Sequence, residues 1–155
     1  MIYIMDNTIS NFSLIDINKK SQSYNQQIGP SYYNNRVSMY YFGTPIWGLC
    51  AKRISSLLSV YNEYNNLGHY IDLIAITRNN RGSQIYKWTS KYNIPICIDK
   101  KGNPTWKSWN AQLRHLYIID GQGNCIYTIN INYSFDNNLI IEALNNVLTK
   151  LYTNN

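Results

Sequence analysis

The chain has 155 residues, enough for one domain that buries a core without disulfide or metal staples. Hydrophobic residues make up 45% and charged residues only 14%, and 15 Tyr with 4 Trp supply large apolar area, which excludes an intrinsically disordered chain. The net charge is +6, but its tightest groups are only Lys19-Lys20, Lys52-Arg53 and Lys100-Lys101; a solvated surface accounts for such scatter, so no nucleic-acid partner is expected.

Met1 to Ser10 has no basic region followed by a long apolar stretch, so it does not read as a signal peptide. No run approaches the roughly 18 apolar residues of a membrane span. The expected setting is reducing cytoplasm without membrane attachment. Cys50, Cys97 and Cys125 are odd in number and imply no disulfide framework.

Asn11 to Ile17 alternates apolar and polar residues and predicts a short strand. Residues 19–35 are polar, contain Gly29-Pro30, and read as loop. Val37 to Phe42 is a compact β-prone run bounded by Gly43 and Pro45, which predicts a central strand. A helix should follow, because Cys50, Ile54, Leu57, Leu58 and Tyr61 share one face of a 3.6-residue period and Gly68 suits its end. Tyr70 to Ile76 is nearly all apolar, as expected of a strand covered on both faces.

Ser83 to Tyr92 predicts a second helix, capped by Ser83, with Ile85, Trp88 and Tyr92 inward. Ile94 to Ile98 is a short strand, and Lys100 to Pro104 turns the chain. Leu116 to Ile119 and Asn124 to Ile131 flank Asp120-Gly121-Gln122-Gly123 and predict an antiparallel hairpin. A last helix spans about Asp136 to Tyr152, with Leu139, Ile140, Leu144, Val147, Leu148 and Leu151 inward. Parallel strand-helix-strand units followed by a hairpin and a helix give an α/β sandwich with a mixed sheet. Ligands in such folds sit where strands run out into helix N-termini, here Gly43 through Cys50.

Tyr40-Tyr41-Phe42-Gly43-Thr44-Pro45-Ile46-Trp47-Gly48-Leu49-Cys50 resembles the strand-to-helix loop of the redoxin superfamily, which includes peroxiredoxins and thioredoxin-like thiol-disulfide oxidoreductases. Leu113 to Asn124 resembles the peroxiredoxin pattern of an Arg, two residues, an aromatic, two aliphatics, Asp and a Gly turn. Ile94 to Asp99 is similar to the preceding strand ending in Asp, Trp106 to Trp109 to a Trp-rich approach, and Asn11 to Asp16 to the family's opening. The resemblance covers nearly the whole chain. It implies one thioredoxin-like domain over residues 1–155, an α/β fold with a central mixed sheet flanked by helices.

It further implies a redox-active Cys50 assisted by Arg114, with Gly43, Thr44, Pro45, Trp47 and Gly48 contacting substrate. The partners implied are a peroxide or a protein or small-molecule disulfide, and an external thiol reductant; a homodimer is open. No cofactor and no metal is implied, and neither His69 nor His115 stands at zinc-ligand spacing. The chain departs from both family patterns. Aligned as a peroxiredoxin, the Pro and Thr upstream of the cysteine fall at Gly43 and Trp47. Aligned as a thioredoxin, Trp47-Gly48-Leu49-Cys50 replaces Cys-x-x-Cys, and Arg114 holds the place of the proline facing it.

Chemically, a thiol in the first turn of a helix meets free N–H groups and the positive end of the helix dipole, which favour thiolate. A guanidinium at Arg114 would add to this. Oxidation by a peroxide would give a sulfenic acid, whereas attack on a disulfide would give a mixed disulfide, completed without a second cysteine at position 47. The alternative is a degenerate, non-catalytic scaffold: Cys50 also falls on the apolar helix face, and Trp47 could fill the substrate pocket. Cys97 and Cys125 read as buried strand residues, Cys125 being the more exposed.

Overall fold

The computed structural model describes residues 2–153, with the backbone alone for residues 2–8. In chain order the strands are β1 (Ile2–Thr8), β2 (Leu14–Ile15), β3 (Gln27–Ile28) and β4 (Val37–Phe42). Helix α1 (Gly48–Asn66) leads to β5 (Ile71–Thr77), then to a 3-10 turn (Asn79–Gln84) and α2 (Tyr86–Thr89). Next come β6 (Ile96–Ile98), α3 (Pro104–Ser108), β7 (His115–Ile119), β8 (Asn124–Asn130) and α4 (Asn137–Thr153).

The main sheet has the order β1-β8-β7-β4-β5-β6. β4, β5 and β6 are parallel, while β7 and β8 run antiparallel and β1 joins β8 antiparallel. This is the expected mixed sheet flanked by helices, with β4 inside it. β2 and β3 form a separate two-stranded ribbon. Among the described residues no helix is long and apolar enough to cross a membrane.

β4 shows why the site lies where it does. All six of its residues are buried. Side chains alternate across a strand, so Val37, Met39 and Tyr41 face one core and Tyr40 and Phe42 the other. The first core is roofed by Cys50, Ile54, Leu57, Val60 and Tyr64 of α1 and by Ile140, Ala143, Leu144, Val147 and Leu148 of α4. The second is aromatic: Phe42 meets Trp106, Trp109 and Tyr117 at ring-centroid distances of 5.1, 5.6 and 5.3 Å. These edge-on and tilted pairs fix the end of β4, from which the chain leaves toward α1.

Several sequence expectations need correction. β1 is a strand where none was expected, at the edge of the sheet and paired antiparallel with β8. The predicted strand over residues 11–17 reduces to Leu14–Ile15, with Asp16 bridging Cys97. The polar loop 19–35 contains β3. The predicted helix from Ser83 breaks into the 3-10 turn and α2, and Ser83 does not cap it: Ile85 precedes α2 without a side-chain cap bond. A helix, α3, follows the turn at Lys100–Pro104. Asp99 organises it, its carboxylate accepting backbone N–H bonds from Lys100, Thr105 and Trp106.

Candidate active site

Residues 43–47 carry the chain from β4 to α1. Gly43 is demanded by packing, since a β-carbon there would stand 2.8 Å from the Tyr41 ring. Trp47 takes an extended backbone at the helix N-cap and makes no side-chain cap bond. The first turn of α1 contains no acid, so its N–H groups and dipole are left without a local negative charge. Cys50 sits in that turn, its backbone N–H donating to the Trp47 carbonyl at 3.0 Å.

Arg114 comes from the chain just before β7. Its backbone N–H donates to the Phe42 carbonyl at 2.8 Å, and its carbonyl accepts from Ile131 at 3.0 Å. Its φ is +60°, a left-handed conformation that costs a non-glycine residue about 1–2 kcal/mol. Held so, the side chain turns onto the start of α1. Nη1 lies 3.4 Å from Cys50 Sγ, and Nε donates to Asn132 Oδ1 at 2.6 Å. The guanidinium carbon lies 5.3 Å from the centroid of the Trp47 ring, within cation–π range. Arg114 is only 7% exposed, Cys50 is fully buried, and Trp47 is 54% exposed.

A second buried guanidinium stands nearby. Arg53, three residues along α1 from Cys50, donates Nε–H to the Ile131 carbonyl at 2.6 Å and reaches the Asn132 carbonyl at 3.4 Å. Among the described residues neither arginine has a carboxylate within ion-pair distance, and the ion pair found is Arg36 with Asp72. A buried cation without an anionic partner is expensive, so negative charge near it is favoured. The Tyr41 hydroxyl donates to the Cys50 carbonyl at 3.2 Å. Burial above all, then the neighbouring Cys50, pushes the Tyr41 phenol strongly upward, with Arg114 and Arg53 pulling the other way, so it stays a neutral donor.

The structure therefore brings Cys50, Arg114 and Trp47 together. Gly43, Thr44 and Trp47 also form one wall of a cleft of about 200 Å³. Pro45 is buried, Gly48 is exposed, and neither lines that cleft. Arg53, Asn132 and Tyr41 are not among the site residues expected from the sequence. The signal for Arg53 was its i, i+3 spacing from Cys50, which puts both on one helix face. Cys97 and Cys125 are both fully buried, so the expectation that Cys125 is the more exposed is corrected: it is a β8 residue packed in the aromatic core. Burial pushes both of those thiols upward. Among the described residues no group of three His, Cys, Asp or Glu could hold a metal ion.

No protein-family model matches the chain, and no curated protein matches it by sequence. Solved structures match its backbone closely. A candidate protein disulfide isomerase from Bacteroides thetaiotaomicron superposes with a TM-score of 0.73 at 16% identity, covering 94% of this chain and 90% of that one. The thioredoxin domain of a thiol-disulfide oxidoreductase from Bacteroides vulgatus gives 0.70 at 12%, covering 94% and 99%. Copper-bound ScoI from Arabidopsis thaliana gives 0.69 at 12%, covering 90% and 99%.

Proposed function

The chain has a thioredoxin-like fold, and from that premise we propose that it is a thiol-dependent redox protein whose reacting group is Cys50, working as a monothiol in thiol–disulfide exchange. One observation carries this: a guanidinium without an acidic partner among the described residues lies 3.4 Å from the sulfur at the start of a helix. Arg114 and the helix dipole stabilise negative charge on Sγ. The Cys50 thiolate attacks one sulfur of a disulfide; a new S–S bond forms to Cys50, the old one breaks, and the other half leaves as thiolate. An external thiol then attacks the mixed disulfide and releases Cys50. Cys50 is fully buried with Arg114 on its sulfur, so its cover must shift for the attack; Trp47, stacked on Arg114, is half exposed.

A peroxide would meet the same thiolate and leave a sulfenic acid as its O–O bond breaks. The proline and threonine implied by the peroxiredoxin resemblance are absent at Gly43 and Trp47, which favours disulfide exchange. The full burial of Cys50 favours the second reading, a non-catalytic scaffold. Reduction of hydroxyethyl disulfide by dithiothreitol separates the two. Catalysis by the native protein, lost in Cys50→Ser, supports the redox protein. Identical rates with both proteins would leave the scaffold.

A further inference from the structure

The cleft beside Trp47 has a second wall that the chemistry at Cys50 does not use. It is built by Thr77 at the end of β5, Arg78 after it, Arg81 of the 3-10 turn and Trp106 of α3. Arg78 and Arg81 are exposed, and neither has a carboxylate partner among the described residues. Arg78 lies over the Trp106 ring, 4.6 Å from its centroid. Asp99, just after β6, is buried and already accepts three backbone N–H bonds.

Three buried polar atoms belong to residues lining this cleft and have no hydrogen-bond partner among the described residues: Thr44 Oγ1, Thr77 Oγ1 and Trp106 Nε1. Buried polar groups are nearly always satisfied, and these three orphans gather around one cleft; they have almost no accessible surface as it stands, and a small shift of its lining would open them to partners from outside. Their chemistry is one-sided. The indole N–H donates only, the guanidiniums donate only, and each hydroxyl can donate. No acid lines the cleft. The complementary ligand carries oxygen acceptors and negative charge, with an apolar part between the rings of Trp47 and Trp106.

Trp47 is common to this cleft and to the guanidinium on Cys50. We propose that the cleft seats the acidic end of a small thiol or disulfide, Arg78 and Arg81 binding its oxyanion while its sulfur reaches Cys50 past Trp47. This assignment rests on Cys50 being the reacting thiol, and the test separates the two claims.

The probes are sulfonatoethyl and trimethylammonioethyl methanethiosulfonate, of similar size and opposite charge. With either, the Cys50 thiolate forms the new disulfide, the S–SO2 bond breaks and methanesulfinate leaves with the electron pair. Rates at Cys50, read by mass spectrometry and divided by those of a free small thiol, should favour the anionic reagent by about 10-fold. Arg78→Gln/Arg81→Gln should remove most of that preference; both side chains are exposed, and circular dichroism checks the fold. Equal preference in native and variant proteins overturns the assignment. A second measurement needs no reaction: the Trp106 indole N–H resonance should shift saturably with ethanesulfonate in the native protein and not in the variant. A saturable shift with an inert Cys50 would overturn the thiol chemistry and keep the acid-binding cleft. No shift would overturn the cleft.

Discussion

Arg114 Nη1 and Cys50 Sγ, 64 positions apart in sequence, meet at 3.4 Å. The contact follows from strand order: β7 lies beside β4 in the sheet, so the residue entering β7 faces the loop leaving β4. Charge-assisted contacts of this kind are worth about 1.5–3 kcal/mol. Replacing Arg114 with Met should slow alkylation of native Cys50 by iodoacetamide about 10- to 100-fold at neutral pH, with Lys intermediate. Unchanged rates in Met and Lys variants would show that the guanidinium does not act on the sulfur.

Trp47 lies over Arg114 and is half exposed. Removing its ring by Trp47→Ala leaves Arg114 more open to solvent and releases one cation–π contact of about 0.5–1 kcal/mol. Alkylation of Cys50 should accelerate several-fold while urea-unfolding stability falls by no more than about 1 kcal/mol. Stopped-flow alkylation and a urea titration check both halves of this expectation. A slower reaction would mean that Trp47 orders the site rather than covers it.

Gly43 stands where the peroxiredoxin resemblance calls for proline, and the packing gives the reason. A β-carbon there meets Tyr41 at 2.8 Å, and the Tyr41 hydroxyl holds the Cys50 carbonyl. Gly43→Ala should cost about 1–3 kcal/mol through overpacking. The cost should shrink in a Tyr41→Leu background, a coupling that a double-mutant cycle by urea unfolding measures directly.

The strong periodicities were legible in the sequence for a physical reason. Val37–Phe42 and the Cys50–Leu57 face are buried against the whole sheet, so their hydrophobic patterns are unbroken, and the 120–123 turn carries its own glycines. What escaped were elements stabilised by partners distant in sequence. β3 exists because Ile28 and Gln27 pair with Leu14 and Ile15. α3 starts on the side chain of Asp99. In the site, Cys50 and Arg114 were visible as a helix-start thiol and a motif arginine. Asn132 was not, because it is placed by the backbone after β8 rather than by any pattern around it.

Asp72 in β5 offers a handle on stability. Burial raises its carboxyl from 3.8 to about 6, with Arg36 opposing. Between those values the folded chain holds a proton that the unfolded chain has lost. Stability therefore falls as pH rises across that window and stays lower above it, by on the order of 3 kcal/mol. Urea titrations from about pH 4 to 7 should show this decline in the native protein and a flatter profile in Asp72→Asn. The same slope in both would place the effect elsewhere.

The most direct measurement is the reaction of the folded protein with dithiodipyridine, followed by thiopyridone release and by mass spectrometry of the modified residue. One equivalent should be released from the native state, all of it from Cys50, with Cys97 and Cys125 reacting only on unfolding. If Cys50 stays unmodified until denaturant exposes all three cysteines together, the thiol is core filler and the redox account is contradicted.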